Sequence, residues 1–347
     1  MNTDTTNRPE YRMPAEWEPQ KSVWLSWPHN LETWPDNLAQ AQFEFTRLVE
    51  TIAGTQRVVV LAGCSSDRQV FRLAQQTLGN LSNVTVLNIR TNDAWARDYA
   101  PTFVTDSHSN TIAIDWHYNA WGGKYPPFDD DQQVCSAVAK HLGIQTIAPG
   151  LCFEGGAIEV NGSGVLLSTK SCVLDPNRNP GIELESADTI LAQHLGTEKH
   201  IWLTGGQAIL GDDTDGHIDQ LARFTDQKTI VYAWPQREDD PQLEALKRNH
   251  AELQRELKLA QLNDFRLIPL PIPEKIEYCQ RRIPASYCNF LITNELVIVP
   301  QFNQPEDKQA IEILSSLFES RQTIGLDSLN LSVGLGSFHC LSQQQPA

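Results

Sequence analysis

Four polar stretches of this sequence carry residue types that can do chemistry, and each follows an apolar segment or lies beside glycine. The first, NDAWARDYAP (92–101), offers Trp95 and, three residues on, Asp98. An aromatic face beside a carboxylate suits a flat cation, because the ring gives a cation–π contact and the carboxylate accepts two parallel N–H donors. A surface Arg97–Asp98 turn before Pro101 is the plainer reading. The second, CFEGGAIEV (152–160), sets Glu154 before two glycines that permit close backbone approach. An exposed glutamate at a strand end would look the same. The third, GDDTDGHIDQLARF (211–224), gathers Asp212, Asp213, Asp215, His217 and Asp219. A histidine among carboxylates is poised for general acid–base work, since the negative charge holds its pKa up. In an extended segment the H-x-D spacing would turn His217 and Asp219 to one side. The same residues also suit a hard cation, although the EF-hand pattern is not met, and a solvated acidic loop is a third reading. The fourth, VGLGSFHC (333–340), ends on Cys340. A free thiol has a pKa of about 8.5 and needs a nearby histidine or bound cation to ionise. Cysteine is also a common buried filler, and the other six, at 64, 135, 152, 172, 279 and 288, read as core residues.

The elements that must position these groups alternate along the chain. Short runs rich in β-branched and aromatic residues predict strands over 57–63, 84–89, 111–118, 164–169, 200–205, 229–234, 265–271 and 295–302. Amphipathic spacing predicts helices near 37–53, 65–79, 130–142, 183–196, 240–260 and 305–320. Alternation of this kind indicates an α/β class. No G-x-G-x-x-G follows a strand and no Walker A motif occurs, so Rossmann and P-loop readings are unsupported. No low-complexity linker divides the chain, which reads as one domain over 1–347 with a flexible tail over 1–10.

Composition excludes several function classes. The 347 residues carry a net charge of −16, which argues against nucleic acid and against an anionic membrane surface. No run of about 18 apolar residues appears, so no transmembrane helix is expected. The polar start is unlike a secretory signal. Seven scattered cysteines without a C-x-x-C pair are neither a disulfide framework nor a zinc ribbon, and a reduced, cytoplasmic chain follows.

Taken together, MPAEWEPQKSVWLSWP, WARDYAP, YNAWGGKY, EGGAIEVNG, TDGHIDQLARF, IPASYCNFLI and SFHCLSQQQP resemble the agmatine deiminase family, akin to the bacterial peptidyl-arginine deiminases of the guanidine-modifying superfamily. The resemblance runs from about residue 11 to 346. It implies a pentein-type α/β propeller of about five ββαβ units around a central site. It implies hydrolysis of agmatine to N-carbamoylputrescine and ammonia, on a route to putrescine, through a covalent amidino-cysteine intermediate. Cys340 would be the nucleophile, His217 the general acid/base and Glu154 its partner. Asp98 and Asp219 would grip the guanidinium beside the wall of Trp95. Asp213 would read the amine tail, with Trp121 also lining the substrate.

No metal and no organic cofactor is implied. The expected partner is a small cationic guanidine, with neither nucleic acid nor membrane, and a homo-oligomer is compatible with it. The stretch after Tyr118-Asn119 carries Ala120, Trp121 and Gly122 where peptidyl-arginine relatives are expected to place arginines for a carboxylate. Arg281 and Arg282 could serve that end from elsewhere, which keeps arginine, methylarginine or a C-terminal arginine open as the alternative guanidine. Leu335 stands in GLGSFHC where a further glycine is more usual, a change expected to alter loop packing more than chemistry.

Overall fold

Five small sheets share one wiring, an antiparallel pair followed by a helical crossover to a parallel strand. A connection that returns a strand parallel to the last needs helix-length chain, which is why the helices fall where they do. In the first sheet Thr102–Asp106 and Thr111–Ile114 are antiparallel, and the helix Val134–Leu142 leads to the parallel Thr146–Ile147. Tyr11–Arg12 adds an edge. The second pairs Glu159–Val160 with Val165–Thr169, then passes through Leu184–Leu195 to Lys199–Leu203. The third runs Ala222–Asp226, Thr229–Trp234, helix Leu243–Leu259 and Arg266–Pro271. The fourth runs Leu291–Ile292, Leu296–Gln301, helix Glu306–Leu317 and Gln322–Asp327. The fifth is made by both ends of the chain. Ser342–Pro346 lies antiparallel to Gln20–Ser26, and the helices Leu38–Ala53 and Gln69–Leu78 lead on to Val58–Gly63 and Val84–Arg90. This is the mixed α/β class the sequence indicates. The computed structural model describes residues 10–347, so the tail expected over 1–10 lies, Glu10 apart, outside the described residues.

Local sequence explains the main elements. Val58–Gly63, VVVLAG, is buried at every position, so it reads as a continuous apolar run and not an alternation. The helix Leu38–Ala53 buries Ala41, Phe45, Leu48, Val49 and Ile52, the three- and four-residue spacing of one face. Among the described residues no helix is long and apolar enough to cross a membrane.

Three expectations need correcting. The strand expected over 111–118 stops at Ile114. The chain then leaves the sheet, keeping one bridge from His117 to Cys152, and Tyr118 packs edge-on against Tyr99 and Trp121. The cysteines are not all core: Cys135, Cys152, Cys172 and Cys288 are buried, but Cys64 is half-buried past a strand end and Cys279 is exposed at a hairpin turn. Lastly, the polar tail SQQQP is a strand that apolar patterning does not find. Gln20–Ser26 offers its ladder, and Gln345 Oε1 accepts hydrogen bonds from Ser22 Oγ at 2.9 Å and Trp24 Nε1 at 3.1 Å.

Candidate active site

The four polar stretches meet. Asp98 lies in the one-turn helix Ala96–Tyr99, directly after Trp95, and Asp219 in the one-turn helix Ile218–Leu221, directly after His217. Glu154 precedes the tight turn Gly155–Ala157. Cys340 sits two residues before the closing strand. The turn at Ile218 overturns the extended reading of H-x-D. His217 faces Glu154 and Asp98, whereas Asp219 faces Cys340 and His339. The two side chains therefore serve opposite sides of one site.

Around the thiol, Asn289 Nδ2 donates to Cys340 Sγ at 3.1 Å, and Asn289 Oδ1 accepts from the Cys340 backbone N–H at 3.2 Å. Sγ also lies 3.4 Å from Asp219 Oδ2 and 3.8 Å from Gln220 Nε2. Asp98 is held at both oxygens: Oδ1 accepts from Gly156 N at 2.9 Å and Oδ2 from Trp121 Nε1 at 3.0 Å. Position 156 must be glycine, since a Cβ there would lie 2.5 Å from His217 Nδ1 and 2.8 Å from Asp98 Oδ1. His217 Nε2 is 3.4 Å from Glu154 Oε2, and Nδ1 is 3.7 Å from Asp98 Oδ1. Asp219 Oδ1 and His217 Nδ1 are buried without a hydrogen-bond partner among the described residues. Polar atoms left so are costly unless a ligand completes them.

A cavity of about 820 Å³ opens above this cluster, and Trp95, Asp98, Trp121, Asp213, Arg281 and Cys340 line it. Glu154, His217 and Asp219 are buried beneath. Trp95 packs on Trp34 with ring centroids 5.6 Å apart. Asp213 stands at the entrance, accepting the hydroxyl of Tyr125 and pairing with Arg281 at 3.5 Å, so the expected tail reader already has a cation beside it. Leu335 also lines the cavity and holds a left-handed φ of 78°, a conformation that glycine would take without strain.

The electrostatics of the empty cluster follow from burial and crowded carboxylates. Burial raises the Asp98 carboxyl and the charges of Asp219 and Glu154 add to it, while His217 and the Gly156 N–H offset part; the result is a pKa pushed up to about 6. For His217 burial pulls down, but Asp98, Glu154 and Asp219 outweigh it and push it up to about 9. Burial also raises Asp219, but His339 more than compensates and holds it below the usual range. Burial, then Asp219 and Asp98, push the Cys340 thiol well above its ordinary value. At neutral pH the protein's own groups thus favour a neutral thiol and a protonated imidazole.

Sequence reasoning missed the supports. Arg178 is fully buried and donates from Nε to Glu154 Oε1 at 2.7 Å and from Nη1 to Asp215 Oδ2 at 2.7 Å. Its charge keeps the Glu154 carboxyl low against the opposing effect of burial. Arg97, read as a surface residue in the plainer alternative, is buried and donates to Gln343 and Gln344 at 2.7 and 2.6 Å. His339 points away from the cavity: Nδ1 meets Asp219 at 2.8 Å and Nε2 meets Glu16 at 3.1 Å. Arg223 then bonds both Glu16 and Glu159. Arg97, His339, Arg223, Glu16, Glu159 and Asn289 all lie within the stretches that carry the family resemblance, yet nothing in those stretches marks them as supports, and Arg178 lies outside them. Nothing local marks a lone arginine such as Arg178, in LDPNRNP, as the partner of a glutamate 24 residues earlier.

Among the described residues one group has metal-ligand spacing, Glu16, Glu159 and His339. The Arg223 guanidinium already supplies the positive charge there. The hard-cation reading of His217 and Asp219 does not converge, because His217 turns toward Asp98 and Glu154 while Asp219 turns toward Cys340 and His339.

Comparison with known proteins agrees with this geometry. The sequence model of the Porphyromonas-type peptidyl-arginine deiminase family matches residues 12–346. The agmatine deiminase of Ectopseudomonas mendocina is 34% identical, with 99% of this chain and 98% of that one covered. The solved agmatine deiminase of Enterococcus faecalis superposes with a TM-score of 0.88 at 29% identity, covering 99% of each chain. A cysteine-to-serine variant of the C. jejuni agmatine deiminase, solved with substrate bound, superposes with a TM-score of 0.87 at 30% identity, covering 100% of this chain and 99% of that one.

Proposed function

The chain belongs to the Porphyromonas-type peptidyl-arginine deiminase family and aligns end to end with agmatine deiminases, and from that premise we propose that its acidic thiol site converts agmatine and water to N-carbamoylputrescine and ammonia. The activity is that of an agmatine deiminase, a hydrolase. The observation that carries the residue roles is the Cys340 thiol at 3.4 Å from the Asp219 carboxylate, at the foot of a cavity that also presents Asp98.

A guanidinium is a poor electrophile because its charge is spread over three nitrogens. Asp98 and Asp219 accept its N–H donors, fix its plane and compensate its charge, while Trp95 and Trp121 bound it. The bound cation favours ionisation of Cys340, whose proton passes to solvent because His217 is already protonated, and the thiolate adds to the central carbon. His217, already protonated at neutral pH, gives its proton to the departing ammonia as the C–N bond breaks. The product of that half-reaction is an amidino-thioether. Neutral His217 then takes a proton from water, the hydroxide adds to the same carbon, and the C–S bond breaks to release the urea and regenerate the thiol. Glu154, held ionised by Arg178, orients the imidazole through both halves.

The same reading takes the whole chain as one catalytic domain. It sets the five like-wired sheets around the site as a pentein-type propeller, and assigns the protein to the cytoplasm. A substrate panel tests it: ammonia release from agmatine should exceed that from arginine in kcat/KM, and equal or higher turnover of arginine would overturn the substrate assignment.

A further inference from the structure

The hairpin Glu277–Tyr278 and Arg281–Arg282 belongs to none of the five sheets and leans over the cavity entrance. Its two turn residues, Cys279 and Gln280, both have positive φ, 48° and 66°, as a two-residue loop of this hand requires. It is seated by backbone contact on the loop that carries Asp213. A Cβ on Gly211 would fall 2.6 Å from the Arg282 carbonyl oxygen, and Gly211 itself has φ 96°. The register of the hairpin puts Arg281 over Asp213, at 3.5 Å from Oδ2, where the Tyr125 hydroxyl also bonds. The other entrance cation, Lys124, is committed to Asp215 at 2.7 Å and to the Asp213 carbonyl at 2.6 Å. Arg281 remains 59% exposed in its side chain, so it can swing away at little cost.

We propose that Arg281 is a built-in rival for the carboxylate that reads the distal ammonium of the substrate. The inference rests on agmatine as substrate and on Asp213 as the tail reader. With Arg281 in place the Asp213 carboxylate is already paired, and an ammonium arriving there meets a cation that it must displace or share with. A guanidine with an uncharged tail has no such contest. Arg281 therefore lowers affinity for guanidinoalkylamines in particular, and sets how strongly the entrance distinguishes them from plain alkylguanidines.

The test measures KM and kcat for agmatine and for n-butylguanidine in the unmodified protein and in Arg281→Gln, with melting curves to confirm folding. For a pair this exposed, removing the rival should lower the agmatine KM about three- to tenfold at low salt, with the change in KM and not in kcat. The butylguanidine KM should stay within about twofold, and in an Asp213→Asn background Arg281→Gln should no longer matter. An unchanged or higher agmatine KM in Arg281→Gln would overturn the proposal. So would an equal fall for butylguanidine, which would mean general attraction of cations. Failure of the unmodified protein to turn over agmatine would instead strike the activity. In that case titration calorimetry of agmatine onto both proteins makes the same comparison of affinities.

Discussion

Trp121→Phe should move the acid limb of the activity profile without scaling the rest. The indole Nε1 donates to Asp98 Oδ2 at 3.0 Å, and among the described residues the other hydrogen-bond donor to this carboxylate is Gly156 N at 2.9 Å, on Oδ1. Phenylalanine keeps a ring against Tyr118 and Tyr125 but has nothing to donate. A hydrogen bond to a charged acceptor contributes about 1.5–3 kcal/mol. Cavity water can replace part of it, so we take the lower end, which is about one pKa unit. The bond favours the ionised form, so its loss raises Asp98 from about 6 toward about 7. In the proposed mechanism ionised Asp98 is the form that grips a guanidinium, so kcat/KM should climb with pH as it forms. The variant should lose about fivefold in kcat/KM at pH 6 and almost nothing at pH 8, from the ionised fractions at the two pKa values. On the alkaline side both proteins should decline together near pH 9, as His217 loses the proton it donates. These apparent values belong to the interacting cluster, so the difference between the two profiles is the measurement that counts. Ammonia release from agmatine between pH 5 and pH 10, with circular dichroism at each pH, supplies it. An acid limb that does not move, or a loss equal at every pH, refutes the reasoning.

Cys340→Ala should remain folded with an unchanged melting curve and release no ammonia from agmatine, and measurable turnover would remove Cys340 from the nucleophile's role. Arg178→Met should lower stability by about 3–5 kcal/mol, since it removes the arginine bonded to the buried Glu154 and leaves Asp215 to Lys124 alone. A melting temperature within a degree or so of the unmodified protein would show that the ion network is dispensable. Deleting residues 343–347 should destabilise the protein and abolish activity, because Gln343 and Gln344 hold buried Arg97 and Gln345 holds Trp24. Deleting only Ala347 removes one backbone bond to Pro19 and should leave activity intact, so equal loss in both truncations would contradict this account of the tail.

What the sequence made legible was whatever has a local signature. The buried parallel strand VVVLAG and the one-faced helix Leu38–Ala53 announce themselves by composition and period. Glu154, His217, Asp219 and Cys340 stand out singly by their setting beside glycines and turns, their union in one site is what the family resemblance implies, and the structure does bring them together. The repeat of the sheets was not legible, because it lies in the order of pairing and not in residue identity. H-x-D was misjudged since the spacing of two residues says nothing about whether the backbone between them turns, and Ile218 begins a helical turn. The glutamines of the last strand hid their role in the same way. Their side chains satisfy Arg97, Ser22 and Trp24 across more than 240 residues of sequence, and no window of the chain contains both partners.

The arrangement around Cys340 resolves an apparent contradiction in its electrostatics. A nucleophilic thiol is usually placed near positive charge, yet here its nearest charged neighbour is Asp219, and Asp98 adds to the burden. Both carboxylates push the thiol toward its neutral, unreactive form as long as the site is empty. They are also the groups that a guanidinium would neutralise on binding. In the proposed mechanism the substrate's positive charge cancels the very fields that suppress ionisation, and it does so in a buried site, where water screens little. Protonated His217 stands by with the proton that the leaving group needs. In the proposed mechanism the thiol is thus made reactive by the cation it attacks. A neutral ligand filling the same cavity would leave Asp98 and Asp219 uncompensated and Cys340 a thiol, so selectivity for a charged guanidine is built into the activation step as well as the binding step.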